Sequence, residues 1–208
     1  TGIGLIYPDP INGACCGQIF SSKGYQPAFE IMVNKTINRL YEASKQGTLP
    51  IVLDVTSCTQ TIRGCRPYLQ DENQIKFDTL EFLDIIEFAA DFMLPRLKIT
   101  HPKNRIVLHP VCSAVKMDLV SKLQKIGNAC AENCLIPASA GCCGMAGDRG
   151  FLVPELTTAA TRLEASEVQS LSDNNGCYST SKTCEMAMSE AVGKNYASIL
   201  KLLDEVSQ

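Results

Sequence analysis

The sequence predicts an α/β protein made of two pseudo-repeated small units with mainly parallel strands. Three observations carry that expectation. A cysteine pair in near-identical surroundings occurs twice, at Cys15-Cys16 and Cys142-Cys143. Each pair is followed by a helical pattern and then by a short extended run, the alternation expected of parallel α/β units. The chain has 208 residues with 45% apolar content, enough for a buried core. We read residues 1–100 as the first half with its connecting helix, and residues 101–208 as the second half.

The first copy opens with Ile3-Gly4-Leu5-Ile6-Tyr7, read as a strand. Gly13-Ala14-Cys15-Cys16-Gly17 and Gly24-Tyr25-Gln26-Pro27 follow. Pro27 suits a first helical turn, where its missing N–H does no harm. Phe29, Val33, Thr36, Ile37 and Leu40 then recur at helical spacing, with Gly47 as the stop. Pro50-Ile51-Val52-Leu53-Asp54 reads as a strand, and Cys58 lies just beyond it. Residues Ile62 to Asn104 join the copies. There Phe82, Ile85, Ile86, Ala89, Phe92 and Met93 predict one amphipathic helix closed by Pro95.

The second copy is longer at its start. Arg105 to His109 reads as a buried strand, followed by Pro110-Val111-Cys112. Ala114 to Ile126 reads as a helix with Val115, Leu119, Leu123 and Ile126 on one side. Leu135-Ile136-Pro137 leads to Ala140-Gly141-Cys142-Cys143-Gly144 and then to Gly150-Phe151-Leu152-Val153-Pro154. A helix bearing Leu156, Ala160, Leu163 and Glu167-Val168 precedes the extended run Gly176 to Ser179, and Cys184 comes next. The end of the chain, Cys184 to Val206, reads as helical. Cys16 and Cys58 are 42 positions apart; Cys143 and Cys184 are 41 apart. Equivalents of the Arg105 strand, of Cys112 and of the helix after it would lie before Thr1. The first unit therefore reads as truncated at its N-terminus, with apolar surface that favours self-association.

Charge excludes some functions. Nineteen basic against 22 acidic residues give a net charge of −3, without the basic surplus of a nucleic-acid binder. No apolar run has the length of a membrane span. The 11 cysteines are odd in number, in a chain large enough to fold without disulfides. Adjacent cysteines bridge each other only with strain. These thiols read as reduced, cytoplasmic and suited to metal, in a protein at most peripheral to a membrane.

Cys112, Cys142, Cys143 and Cys184 each lie on a connection after a predicted strand, and ligand groups gather at the carboxyl ends of parallel strands. All-sulfur ligation favours an iron–sulfur cluster or zinc over hard cations. Glycines beside the pairs allow sharp turns and bring N–H groups near sulfur. His109, three residues before Cys112, is a further candidate ligand, although backbone partners for both ring nitrogens are the more frequent arrangement. Cys65, Cys130, Cys134 and Cys177 have no repeat counterpart and read as small buried hydrophobes. Cys130 and Cys134 also stand at a metal-compatible spacing of four. A vicinal disulfide and a free-standing thiol enzyme are further readings of the cysteines.

The Cys-Cys-Gly motif with a distant downstream cysteine resembles the cysteine-rich CCG domain of heterodisulfide reductases, of the glycolate oxidase iron–sulfur subunit and of flavin- and iron–sulfur-containing D-lactate dehydrogenases. The stretches Leu108-His109-Pro110-Val111-Cys112-Ser113, Gly141 to Phe151, and Thr183-Cys184-Glu185 resemble the last group most, along essentially the whole chain. The resemblance implies an electron-transfer module: FAD in the remainder of a parent protein, a ferredoxin-like portion beside it, and a quinone or cytochrome as acceptor. It maps Cys112, Cys142, Cys143 and Cys184 onto one cluster site, and Cys15, Cys16 and Cys58 onto an incomplete second one. The family pattern ends in Cys-x-x-Cys, whereas Val55, Thr61, Ser181 and Ala187 flank Cys58 and Cys184 here. No flavin domain and no tight ferredoxin cysteine run is present, so this chain cannot complete hydroxy-acid oxidation by itself.

Overall fold

The computed structural model describes residues 2–8, 13–171 and 176–207. Helices and parallel strands form two compact α/β units, Thr1–Asp84 and Ile85–Gln208. The sequence division placed residues 85–100 with the first half; they belong to the second unit.

The first unit contains α1 (Gln18–Ser21), α2 (Gln26–Ala43), β1 (Ile51–Leu53), α3 (Thr56–Arg63), α4 (Asp71–Asp78) and β2 (Phe82–Asp84). In α2, Phe29, Val33, Thr36 and Ile37 turn inward as the periodicity predicts. Phe29, Val33 and Ile37 join Ile62, Cys65, Leu69 and Phe82 in one apolar core. The helix ends at Ala43, before Gly47, because Lys45 and Gln46 already take left-handed conformations. Strands β1 and β2 pair in parallel, Ile51 with Phe82 and Leu53 with Asp84.

Two expectations fail in this unit. Phe82 does not start an amphipathic helix. Its spacing to Ile85, Ile86 and Ala89 fits a helical period, but residues 82–84 pair with a strand some 30 positions away, and no local pattern reports that pairing. A short helix, α5 (Ile85–Phe88), and a π-helical turn, Ala89–Met93, follow instead. Ile3 to Tyr7 forms no strand, and Leu5, Ile6 and Tyr7 are exposed. The equivalent segment in the second unit pairs with a central strand, and the described residues of the first unit contain no such strand.

The second unit continues from α5 with β3 (Lys103–Leu108), α6 (Cys112–Lys116), α7 (Val120–Cys130), β4 (Ala131–Leu135), α8 (Arg149–Leu152), α9 (Pro154–Gln169), β5 (Cys177–Ser179), α10 (Lys182–Val192), β6 (Tyr196–Ser198) and α11 (Ile199–Val206). The strands lie in the order β4-β3-β5-β6, all parallel. Chain direction across the sheet reverses between β3 and β5. Such a switch point opens a crevice at the carboxyl ends of the two strands.

Three sequence expectations are corrected here. The helix read over 114–126 is broken at Asp118, which has φ +58°; α7 then continues to Cys130. The single helix read over 184–206 is interrupted by a left-handed Gly193 cap and by β6, because Tyr196, Ala197 and Ser198 pair with β5. Helix α9 faces inward through Thr161, Glu164, Ala165 and Val168, leaving Leu156, Ala160 and Leu163 exposed. Among the described residues no helix is long and apolar enough to cross a membrane.

Candidate thiol site

Each cysteine pair sits in a loop held open by a left-handed glycine. Gly17 and Gly144 follow the pairs with φ of 79° and 78°. A Cβ at Gly17 would stand 2.8 Å from Phe29, and one at Gly144 would stand 2.7 Å from the Leu156 carbonyl. Counting from the second cysteine of each pair, Phe29 and Leu156 are equivalent positions. Both loops thus turn tightly over the first turn of a helix, in the left-handed region that favours glycine. The Gly17 N–H donates to Cys15 Sγ at 3.3 Å, and the Gly144 N–H donates to Cys142 Sγ at 3.4 Å.

The repeat extends to the sulfurs. Cys16 Sγ and Cys58 Sγ lie 2.9 Å apart; Cys143 Sγ and Cys184 Sγ lie 2.8 Å apart. Cys58 and Cys184 both sit in the first turn of the helix after a strand, β1 and β5 respectively. In the second unit Cys112, at the start of α6 after β3, shares a thiol hydrogen bond with Cys142. Cys112 thus stands beside Cys142, and Cys143 beside Cys184, on the connections that follow β3, β4 and β5.

His109 departs from the expectation. It is fully buried directly after β3, and its Nδ1 contacts the carboxylate of Glu164 at 2.8 and 3.0 Å, not backbone. A carboxylate only accepts, so Nδ1 is the donor of this contact and Nε2 is the ring nitrogen turned away from Glu164. Nε2 has no hydrogen-bond partner among the described residues. The Ser113 hydroxyl in α6 and the Thr180 hydroxyl just after β5, both buried, also lack one among the described residues. Glu164 in turn accepts the Gly141 N–H at 3.4 Å, tying the cysteine-pair loop to the histidine. Ser179 Oγ donates to His109 O at 3.0 Å and fixes the other side.

Glu164 was not visible as a functional residue in the sequence. Its equivalent in the first unit is Ile37, buried in the apolar core. A carboxylate at an inward position of α9, opposite a repeat partner that is apolar, was the available signal.

Electrostatics split the thiols. Cys142 is held down to about 5, chiefly by the Cys112 S–H, with help from the Gly144 N–H and the charges of His109 and Lys116. Cys143 is lowered to about 7, first by Cys184. Cys112 and Cys184, the partners in these pairs, are pushed up by the same hydrogen bonds and by burial. In the first unit Cys16 is lowered to about 7 by Cys58, whose own thiol is pushed up.

The donors of the second unit suit a soft metal or an iron–sulfur cluster: four sulfurs, an unpartnered imidazole nitrogen and two unpartnered hydroxyls at one sheet edge. Their spacing is that of thiols sharing protons. Two thiolates on one zinc ion keep about 3.8 Å between sulfurs, so Cys143 and Cys184 part by about 1 Å on taking up metal. Among the described residues no group of three or more His, Cys, Asp or Glu side chains already stands as a metal site. Among the described residues of the first unit, Cys15, Cys16 and Cys58 have no imidazole beside them and the fourth thiol, Cys65, is buried in the apolar core, so that set does not fill a four-coordinate site. Cys130 ends α7, and Cys134 lies in β4 against Gly127, so the two do not share a helix face. Cys65, Cys130 and Cys177 are buried, as expected of small hydrophobes. Neither protein-family models nor curated proteins gave a match to the chain.

Proposed function

We propose that the second unit is a thiolate-rich metal-binding module that transfers electrons within a larger flavin-dependent oxidoreductase. Cys112, Cys142, Cys143 and Cys184 would hold an iron–sulfur cluster, with zinc as the alternative occupant. Supporting this reading is the gathering of those four thiols around a buried His109 whose Nε2 has no partner. A bound cluster supplies one-electron acceptance and donation. The protein's residues orient it: Glu164 fixes the His109 ring, the Gly144 N–H points at sulfur, and the burial of Cys143 and Cys184 excludes water from one side. Such polar and N–H contacts set the potential of a thiolate centre.

The resemblance to CCG domains suggests the setting. Electrons from a D-2-hydroxy acid would enter through FAD in another part of the parent protein and leave to a quinone or cytochrome, in a reducing cytoplasmic compartment. Thiol–thiol spacing, in place of ligand spacing, favours a second reading: a zinc-bound or metal-free docking domain of the same oxidoreductase.

Iron, zinc and acid-labile sulfide, measured with a visible spectrum on protein prepared without oxygen, test the proposal. Iron and sulfide in similar amounts, with broad absorption lost in Cys143→Ser, are expected. Zinc alone, or no metal with all thiols free, overturns electron transfer and leaves the docking domain.

A further inference from the structure

The two units hold the same sulfur pair in different surroundings. Cys143 and Cys184 are only 4% and 6% exposed, and Cys112 and Cys142 act on Cys184 electrostatically. Cys16 and Cys58 are partly exposed and reachable from solvent. The first unit places Ile37 where Glu164 would hold an imidazole, so its pair lies over an apolar core and not in a polar ligand pocket.

Both backbones of the first pair are fixed by contacts that do not involve sulfur. Thr36 Oγ1 donates to Cys15 O at 2.7 Å, and Cys16 packs on the core beneath α2. Cys58 sits in α3 between Thr56 and Thr59, whose hydroxyls donate to the buried Asp84 carboxylate at 3.1 and 2.6 Å. A disulfide needs sulfurs about 2.05 Å apart, less than 1 Å from the spacing of 2.9 Å already present. Closing it takes a small side-chain rotation, and opening it leaves the fold in place.

We propose that Cys16 and Cys58 form a reversible dithiol–disulfide couple, a two-electron redox centre independent of any metal in the second unit. The co-reactant is a small-molecule disulfide of the glutathione class. The Cys16 thiolate attacks one sulfur of the small disulfide; the S–S bond breaks, and one small thiolate leaves. Cys58 gives up its proton and attacks Cys16 Sγ, expelling the second small thiolate. Two protein thiols are oxidised to one disulfide, and one small disulfide is reduced to two thiols that take up the two protons.

The test uses the full chain, metal-free and without oxygen, incubated with oxidised glutathione, then alkylated, digested and examined by mass spectrometry. The expected result is a Cys16–Cys58 cross-linked peptide that dithiothreitol removes, with Cys143 and Cys184 still free thiols. Cys58→Ser should trap a lasting glutathione adduct on Cys16, while the wild-type cross-link decides the matter if that variant fails to fold. A Cys15–Cys16 cross-link, or scattered adducts with no Cys16–Cys58 peptide, overturns the proposal. So does protection of the pair, in protein not stripped of metal, that a chelator removes, because that places a metal in the first unit. Iron and sulfide content at the second unit is read separately and moves with Cys143→Ser, not with Cys58→Ser.

Discussion

Glu164 Oε1 stands 2.8 Å from His109 Nδ1, and the two residues are 2% and 0% exposed. Removing either partner strands the other in a low-dielectric interior. Glu164→Ala should therefore lower unfolding stability by about 3–5 kcal/mol, the usual cost of breaking a buried pair. Glu164→Gln keeps an acceptor and should cost about 1–3 kcal/mol. The first unit shows the apolar solution, since Ile37 fills the equivalent place. The double variant His109→Leu/Glu164→Ile should therefore be more stable than the sum of the single changes by at least about 1 kcal/mol. Urea denaturation of the metal-free protein measures all four corners of the cycle. Additive effects would mean that the contact carries no coupling.

Cys142 should be the fastest thiol to alkylate at mildly acid pH. It is exposed, and its value of about 5 comes first from the Cys112 S–H donated to its thiolate. The thiolate is the nucleophile, so reactivity persists as pH falls from 8 and is lost only as pH passes below about 5. At pH 6 the gain in thiolate fraction outweighs the lower nucleophilicity of a weakly basic sulfur. The net expectation is about tenfold faster reaction than for the unfolded chain. Cys112→Ala removes the main cause and should shift the midpoint upward. Iodoacetamide labelling against pH, read peptide by peptide, checks both.

The sulfurs were legible in the sequence because a repeated cysteine at a repeated place has no packing explanation. Helix α2 was legible because Phe29, Val33 and Ile37 follow a local period that the core obeys. The misread elements depend on distant partners or unmarked backbone. Phe82 looks helical until β1 claims it, and Tyr196 looks helical until β5 does. Asp118 breaks a helix without a glycine or proline to announce it. Glu164 resembled one more charged helix residue, because a sequence does not show which side of α9 meets His109.

The two glycines after the cysteine pairs should tolerate alanine unequally. Both have φ near +79°, a conformation that costs a non-glycine residue roughly 1–2 kcal/mol. The added methyl at Gly17 meets the Phe29 ring, a side chain that can rotate. At Gly144 it meets the backbone carbonyl of Leu156 at 2.7 Å, which cannot move without displacing α9. Gly17→Ala should thus cost about 1–2 kcal/mol, and Gly144→Ala several kcal/mol more than strain alone, with loosened Cys143–Cys184 geometry. Thermal unfolding ranks the two, and equal shifts would contradict the backbone clash.

Leu156 and Leu163 separate the sequence reading of α9 from the folded one. Helical periodicity placed both in the core, where Leu→Ala costs about 2–5 kcal/mol. In the fold they are 42% and 63% exposed, because Glu164, Ala165 and Val168 occupy the inward face. Replacing an exposed leucine by glutamine leaves no cavity and buries no polar group, so Leu156→Gln and Leu163→Gln should each change stability by no more than about 0.5 kcal/mol. Val168→Ala, on the inward face at 0% exposure, should cost about 1–3 kcal/mol in the same assay. The contrast among the three follows from the rotation of α9 that brings Glu164 to His109. A large loss at Leu163 would turn the helix back to the orientation read from periodicity and take the carboxylate away from the histidine.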